Sequence, residues 1–384
     1  MYLCNGRACV VDLSTGESSE QELSEELLMK GSAVRLADSL RKEHGDALVL
    51  GTGLLTGSLV PAACAGLISS AKGTMPLLGF AGVELKLAGF DFIVIKGESP
   101  EPGYLWARDG IVEFVSSPAM ASMDSWERTD KIRTDQGDRR IQVVSAGPWG
   151  DSMRQASSIS VGHWLGEDDA FMGAELGRRK LVGVAFRGMG ELEVSDSEGH
   201  MTASLALRAD HASRLGPSAG LASYWDKARD SGFSSLLHRV VACFGCPHPC
   251  RSFLKINEDP KQMALSAKEP GYLHFDIPSL DAAASAGMGS GAVTTAFMEC
   301  AKAGADPSSV IGAGVTDIAG VRTMLATGDA PAKARASAKG SFRSYSTFDD
   351  CIALGLCPRY WAKAGLDLDA VSECIEPALG RGLR

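Results

Sequence analysis

The sequence has no uninterrupted apolar run of the roughly 20 residues that a membrane-spanning helix needs, so insertion into a bilayer is not expected. It also lacks a basic excess. Against 47 Asp and Glu stand 38 Lys and Arg, a formal net charge of −9. That excludes nucleic acid as the expected partner, because binding it takes a basic face. The N-terminus, Met1-Tyr-Leu-Cys-Asn-Gly-Arg-Ala-Cys-Val, has no charged stretch followed by an apolar one. No secretory leader is expected, and the cytoplasm is the expected location. Histidine is scarce, and His163, His211 and His238 show no metal-ligand spacing. No pair of carboxylates marks an acid–base couple. Gly51-Thr-Gly-Leu-Leu-Thr-Gly57 follows an apolar strand, but its third glycine comes one residue late for a dinucleotide loop. A structural turn is the expected role.

What is present is an ordinary globular composition over 384 residues, 45% hydrophobic and 22% charged, enough for two or three domains. Residues 1–195 are expected to form a β-rich domain. Cys9–Leu13 runs into the turn signal Ser14-Thr-Gly16. Further strands are expected at 47–50, 91–96, 104–107, 111–115, 141–145 and 181–186, with Asp109-Gly110 as a hairpin turn. Ser19 and Glu22 have the spacing of a capping box, so a helix is expected to follow, carrying Leu23, Leu27, Val34, Leu36 and Leu40 on one face. Beyond Glu193, alanine, leucine and other helix formers dominate. Helices are expected over 201–214, 219–241, 280–304 and 363–379, in a second, helical domain over 196–384. The small, polar run 327–340 is expected to be a loop.

Ten cysteines in a chain of this size, without a leader, point to metal or redox chemistry rather than a disulfide scaffold. Three fall in Cys243-Phe-Gly-Cys246-Pro-His-Pro-Cys250. An iron–sulfur cubane needs four thiolates, commonly three from one compact loop and one from far away. Pro247 and Pro249 stiffen this loop. Zinc is the alternative, but structural zinc prefers two separated pairs or a Cys2His2 set. A role as simple buried cysteine also stays open. Spacing does not choose the fourth ligand between Cys351 and Cys357. The turn residues Gly355 and Pro358 favour Cys357.

Several segments, in order along the chain, resemble the tungsten-containing aldehyde ferredoxin oxidoreductase family. They are Asn5-Gly6, Val11–Gly16, Glu26-Leu-Leu28, Gly51–Gly57, Gly82-Val-Glu-Leu-Lys-Leu-Ala-Gly-Phe-Asp91 with Lys96-Gly97, Gly173–Gly188, Ala296–Gly304 and Leu354-Gly-Leu-Cys357. The resemblance implies an α+β fold: a β-rich N-terminal domain, then a helical one. It implies a [4Fe–4S] cluster on Cys243, Cys246, Cys250 and Cys357, beside a tungsten or molybdenum bis-pterin. It further implies aldehyde oxidation, with ferredoxin or another redox subunit as electron partner and a homodimer or hetero-complex as assembly.

The pterin half of that pattern is broken. Pterin phosphates need Arg, oriented amides or Mg²⁺. Ala65 stands where the family places an arginine. Thr74–Gly79 replaces a Ser-Asn-Ser-Gly-Gly stretch, and Asp168-Asp-Ala-Phe171 replaces Gly-Arg-Gly-Gly. Ala286 and Ile352 fall at expected aspartates, with Asp349 and Asp350 near the second. Pro270–His274 replaces a Glu-Tyr-Glu segment. The chain is also shorter than the family, with the gap expected between about 305 and 345. The expected function is therefore a pterin-free iron–sulfur electron-transfer or accessory subunit. The alternatives are an active bis-pterin aldehyde oxidoreductase, and a structural relative with zinc or no metal.

Overall fold

The structure, a computed structural model, describes residues 2–24, 28, 32–166, 169–216, 226, 228–255, 272–331 and 341–381. Two six-stranded mixed sheets dominate the N-terminal half. The first holds β1 (Arg7–Asp12), β2 (Glu17–Glu22), β3 (Leu48–Thr52), β4 (Gly66–Ser70), β5 (Gly73–Leu77) and β6 (Phe92–Lys96), in the order β2-β1-β6-β3-β4-β5. The second holds β7 (Gly103–Arg108), β8 (Ile111–Ser116), β9 (Gln142–Ala146), β10 (Ile159–Val161), β11 (Trp164–Leu165) and β12 (Leu181–Arg187), in the order β11-β10-β9-β12-β7-β8. Each sheet contains one parallel pairing, β1 with β6 and β7 with β12.

Strand alternation explains how the sheets stack. Successive side chains of a strand point to opposite faces. Leu48, Leu50, Ile93 and Ile95 of the first sheet share one core with Leu105, Val144, Val184 and Phe186 of the second. Val49, Phe92 and Val94 face the other way and bury against Leu36, Ala37 and Leu40 of the helix Ala33–Glu43. The helix Ser125–Gln136 covers the outer face of the second sheet, where Ile132 meets Tyr104, Trp106 and Val143. The helices Ser197–Leu215, Ile277–Ser285, Ser290–Ala303, Pro307–Gly312, Ile318–Thr327, Phe348–Leu354, Pro358–Ala364 and Leu368–Leu379 follow. The fold is thus α+β, β-rich first and largely helical after.

Four expectations need correction. Ser19 and Glu22 do not cap a helix, because Glu17–Glu22 pairs antiparallel with β1 across the Ser14–Gly16 turn. The helix starts at Ala33, where the Ser32 side chain accepts from the Arg35 N–H; of the expected face, Leu27 lies outside the described residues. The expected helix at 280–304 is two, broken around Gly287, whose φ of +68° suits glycine. Likewise 363–379 breaks at Gly365, φ +77°. The fourth is a third sheet inside the expected helical part. β13 (Leu237–Val241), β14 (Arg251–Lys255) and β15 (Tyr272–Phe275) pair antiparallel in that order. So the expected helix 219–241 ends in a strand, and its start at 219–225 lies outside the described residues. Of the expected loop 327–340, residues 332–340 also lie outside them.

Candidate metal centre

The third sheet positions the cysteine loop. Residues 242–250 connect β13 to β14, so Cys243, Cys246 and Cys250 hang from a hairpin. Gly245 takes a φ of +61° at the tip, and the Cys246 N–H donates to the Cys243 carbonyl at 3.2 Å. The Cys246 thiol donates to the His248 carbonyl at 3.3 Å. The loop docks on the N-terminal domain at two points. The Phe244 N–H donates to Gly79 O at 3.1 Å, with the Phe244 and Phe80 rings edge-on at 6.1 Å. The Ala62 N–H donates to Gly245 O at 3.3 Å.

Cys357 arrives from the opposite side. It is the N-cap of the helix Pro358–Ala364. Its N–H donates to Ala62 O at 3.0 Å, so Ala62 ties both approaches together. Just upstream, Leu354 O accepts from Leu55 N at 2.9 Å and Gly355 O from Ala65 N at 3.0 Å. Gly53 and Gly355 cross so closely that a Cβ on Gly53 would land on the 354–355 backbone, and one on Gly355 (φ +87°) would land on the Thr56 hydroxyl. The Gly51–Gly57 segment is therefore a structural turn against the Cys357 limb. Lys86, 1% exposed, holds it from beneath, its ammonium donating to Gly53 O and Leu54 O at 2.8 Å each.

The four sulfurs occupy one neighbourhood. Burial holds the Cys246 thiol up first, and the charges of Cys357, Cys250 and Cys243 add to it. Burial also pushes Cys250 up, to about 11, with Cys357 and Cys243 adding to it while the Arg359 guanidinium opposes. Cys357 moves the other way: a hydrogen bond from the Cys64 thiol pulls it down, outweighing burial. Cys64 itself is pushed up by hydrogen bonds to Cys243 and Cys357. Cys243, Cys246, Cys357 and Cys64 share an apolar pocket with Leu356, Trp361, Leu54 and Leu55. The Trp361 indole closes one wall, donating to Pro61 O at 3.1 Å. Among the described residues, no three or more His, Cys, Asp or Glu side chains stand close enough to hold a single metal ion.

The other cysteines stand apart or at the edge. Cys351, pushed up to about 12 by burial, lies in the helix before the turn and feels Cys357 alone among the cysteines. Cys300 is buried in a separate core. Two neighbours, Cys64 and Arg359, escaped sequence reasoning. Cys64 looks in sequence like any buried thiol. Arg359 carried one signal, a cation two residues after a candidate ligand. His211 bonds through Nδ1 to the Tyr360 hydroxyl at 2.7 Å and His163 to Asp130 at 2.7 Å. The His238 side chain lies outside what is described.

Around the expected pterin position, Arg343 donates from its N–H to Asp169 at 3.3 Å and from its guanidinium to Thr74 O at 3.1 Å. Ala65 is buried in the core beneath β4, and Thr74–Leu77 is part of β5. Ile352 packs in that same core, while Asp349 and Asp350 face solvent. A cavity of about 20 Å³ is lined by Met75, Pro76, Leu77, Ile159, His274 and Phe342, among others. Asp168, Pro270 and Gly271 lie outside the described residues.

Comparison with known proteins places the N-terminal half of the chain. Residues 8–188 match the family described as "Aldehyde ferredoxin oxidoreductase, N-terminal domain". Tungsten-containing aldehyde ferredoxin oxidoreductases from Thermococcus kodakarensis and Pyrococcus furiosus are 30% and 27% identical over 224 residues each, 52% of this chain and 36% of theirs. An "Aliphatic sulfonate oxidoreductase, WOR-like subunit" from P. furiosus is 27% identical over 232 residues, 52% of this chain and 37% of its own. The matched stretch thus spans little more than a third of these relatives. The fold is similar to a solved structure, "Active site complex BamBC of Benzoyl Coenzyme A reductase in complex with 1,5 Dienoyl-CoA", with a TM-score of 0.67 and 16% identity, covering 97% of this chain and 63% of that one. Over residues 8–188 the chain is thus similar to the N-terminal domain of the aldehyde ferredoxin oxidoreductase family.

Proposed function

We propose that this chain is an iron–sulfur electron-transfer protein in which Cys243, Cys246, Cys250 and Cys357 hold a [4Fe–4S] cluster, without a pterin of its own. The observation that carries the proposal is the convergence of these four thiols, three from one hairpin loop and one from a distant helix N-cap, beside the Arg359 guanidinium. The donor set fits a cubane in number and kind. A cubane offers a separate iron to each thiolate, so its ligands stand farther apart than those around one ion. When bound, the cluster would take up and release one electron at a time.

The chain's own residues supply the environment. Leu356 and Trp361 exclude water from the Cys357 side. Cys246 and Cys250 are only partly buried, which leaves the hairpin side as the approach for a redox partner. Ala65 and Ile352, buried core residues at expected polar positions, support a reading without a pterin. The partner is then ferredoxin or another redox subunit, in a homodimer or hetero-complex. The relatives described as a subunit and as an active-site complex support that reading. The proposed division into domains falls near residue 195, and the proposed location is the cytoplasm. Among the described residues, no helix is long and apolar enough to cross a membrane.

Anaerobic purification followed by metal and sulfide analysis tests this. The expected result is a brown protein with about four iron and four sulfide per chain, and no tungsten or molybdenum. Cys357→Ala is expected to lose iron and Cys351→Ala to keep it. Stoichiometric tungsten or molybdenum would overturn the pterin-free reading. Zinc, or a colourless protein, would overturn the cluster.

A further inference from the structure

Two buried groups at the centre are not needed to hold four irons. Arg359, 3% exposed, points its Nη1 at the Cys250 sulfur from 3.8 Å. Its Nε donates to the Tyr345 hydroxyl at 3.3 Å, and its guanidinium lies 4.7 Å from the Phe342 ring centroid. These contacts fix the cation's direction as well as its presence. Cys64 is fully buried in a segment that bonds to the cysteine loop at Gly245 and to Cys357 through Ala62. It shares the apolar pocket of Cys243 and Cys357 and is hydrogen-bonded to both. It is a fifth thiol at a site complete with four.

We propose that Arg359 and Cys64 are positioning residues that set the reduction potential of the centre, by directing an N–H and an S–H at its ligand sulfurs. This rests on the cluster reading above. Reduction adds one electron, supplied by a one-electron carrier, and makes the sulfurs more negative; no bond is made or broken. Donors aimed at the sulfurs favour that more negative state and so raise the potential. Arg359 brings a full charge, which strengthens its hydrogen bond. The thiol is a weak donor, and its effect is smaller.

The test is an anaerobic redox titration with dithionite, followed by electron paramagnetic resonance, on the full chain and on Arg359→Met, Arg359→Lys, Cys64→Ala and Cys64→Ser, with iron counted in each. Arg359→Met is expected to keep its iron and shift the reduction equilibrium about tenfold toward the oxidised form, about 59 mV for a one-electron couple. Cys64→Ala is expected to shift it less, in the same direction. Arg359→Lys and Cys64→Ser keep a donor and stay nearer the wild type. If Arg359→Met does not fold, Arg359→Lys decides through a smaller shift of the same sign. Unchanged potentials with iron intact overturn the inference. So does loss of iron from a folded Cys64→Ala, which would make Cys64 a ligand. A wild-type chain without iron overturns the cluster reading itself, a different and separable result.

Discussion

Replacing Lys86 by methionine tests how the N-terminal domain braces the cysteine site. The Lys86 ammonium is 1% exposed and donates at 2.8 Å to the carbonyls of Gly53 and Leu54. Burial lowers its pKa, and Asp91 is the largest influence opposing that. Asp91 is as deeply buried, and its carboxylate accepts from the N–H groups of Asn5 at 2.9 Å and Gly6 at 2.7 Å. Methionine nearly fills the lysine volume, so a cavity contributes little. What is lost is two charge-assisted hydrogen bonds, together with the cation that offsets Asp91. Removing one partner from a buried charge arrangement costs about 3–5 kcal/mol. For a domain near 200 residues that lowers the melting temperature by about 10 °C. Circular dichroism melts of wild type and Lys86→Met, read at one pH and salt, measure it. Asp91→Asn added to Lys86→Met should cost less than the sum of the two single changes, because the second removes the stranded charge. A drop under about 3 °C, or strict additivity with Asp91→Asn, would refute the account.

Two further outcomes follow from the same geometry. Gly355→Ala puts a side chain on a left-handed residue facing the Thr56 hydroxyl, a strain of about 1–3 kcal/mol; because Cys357 is two residues on, iron content should fall together with melting temperature, and a variant with full iron would contradict this. Asp138→Asn tests pH dependence: hydrogen bonds from Arg140, then from Arg187, hold this carboxyl far below its usual 3.8. A depressed pKa gives stability that is present above the unfolded value and lost as pH falls through the folded one. Arg140, the larger influence, is exposed, so the variant should lose about 1 kcal/mol or less at pH 7, and its deficit should shrink steadily below pH 4 in urea melts read against pH.

Of the N-terminal strands, β1, β3, β6, β7, β8, β9 and β12 were legible because they are built on apolar, β-branched runs with strong punctuation, whereas β4, β5, β10 and β11, which are short or interrupted by Gly, Ser and Pro, were not. Asp109-Gly110 is the clearest punctuation, with both residues at positive φ, 44° and 83°. The helix that Ser19 and Glu22 suggested was not legible, because local capping chemistry lost to tertiary pairing with β1. The third sheet was missed for a similar reason. Its strands are four or five residues long and sit among helix formers, so periodicity has little to grip. The cysteine loop was legible by spacing, whereas Cys64 was not. In sequence it differs in no way from Cys300, a buried thiol in a core that holds neither Cys243 nor Cys357. Only closure of the chain sets it beside Cys243 and Cys357.

That closure also explains why the cysteine site and the N-terminal domain belong together. The hairpin carrying Cys243, Cys246 and Cys250 and the helix carrying Cys357 meet through Ala62, which donates to Gly245 and accepts from Cys357. Ala62 adopts a φ of +58°, an unfavourable backbone for a residue with a Cβ. Neighbouring bonds hold it there: Ala63 to Val60, Gly57 to Ala63, and Leu55 to Leu354. Those in turn stand on the glycine crossing at 53 and 355 and on Lys86 below it. Four thiols contributed by two limbs do not form a site until this strap is in place. Metal binding at such a site draws on the folding free energy of everything that holds the limbs together. The stability of the N-terminal domain and the iron content of the hairpin should therefore move together, which is why variants at Lys86 and Gly355, neither of which supplies a thiolate, bear on the proposed metal centre.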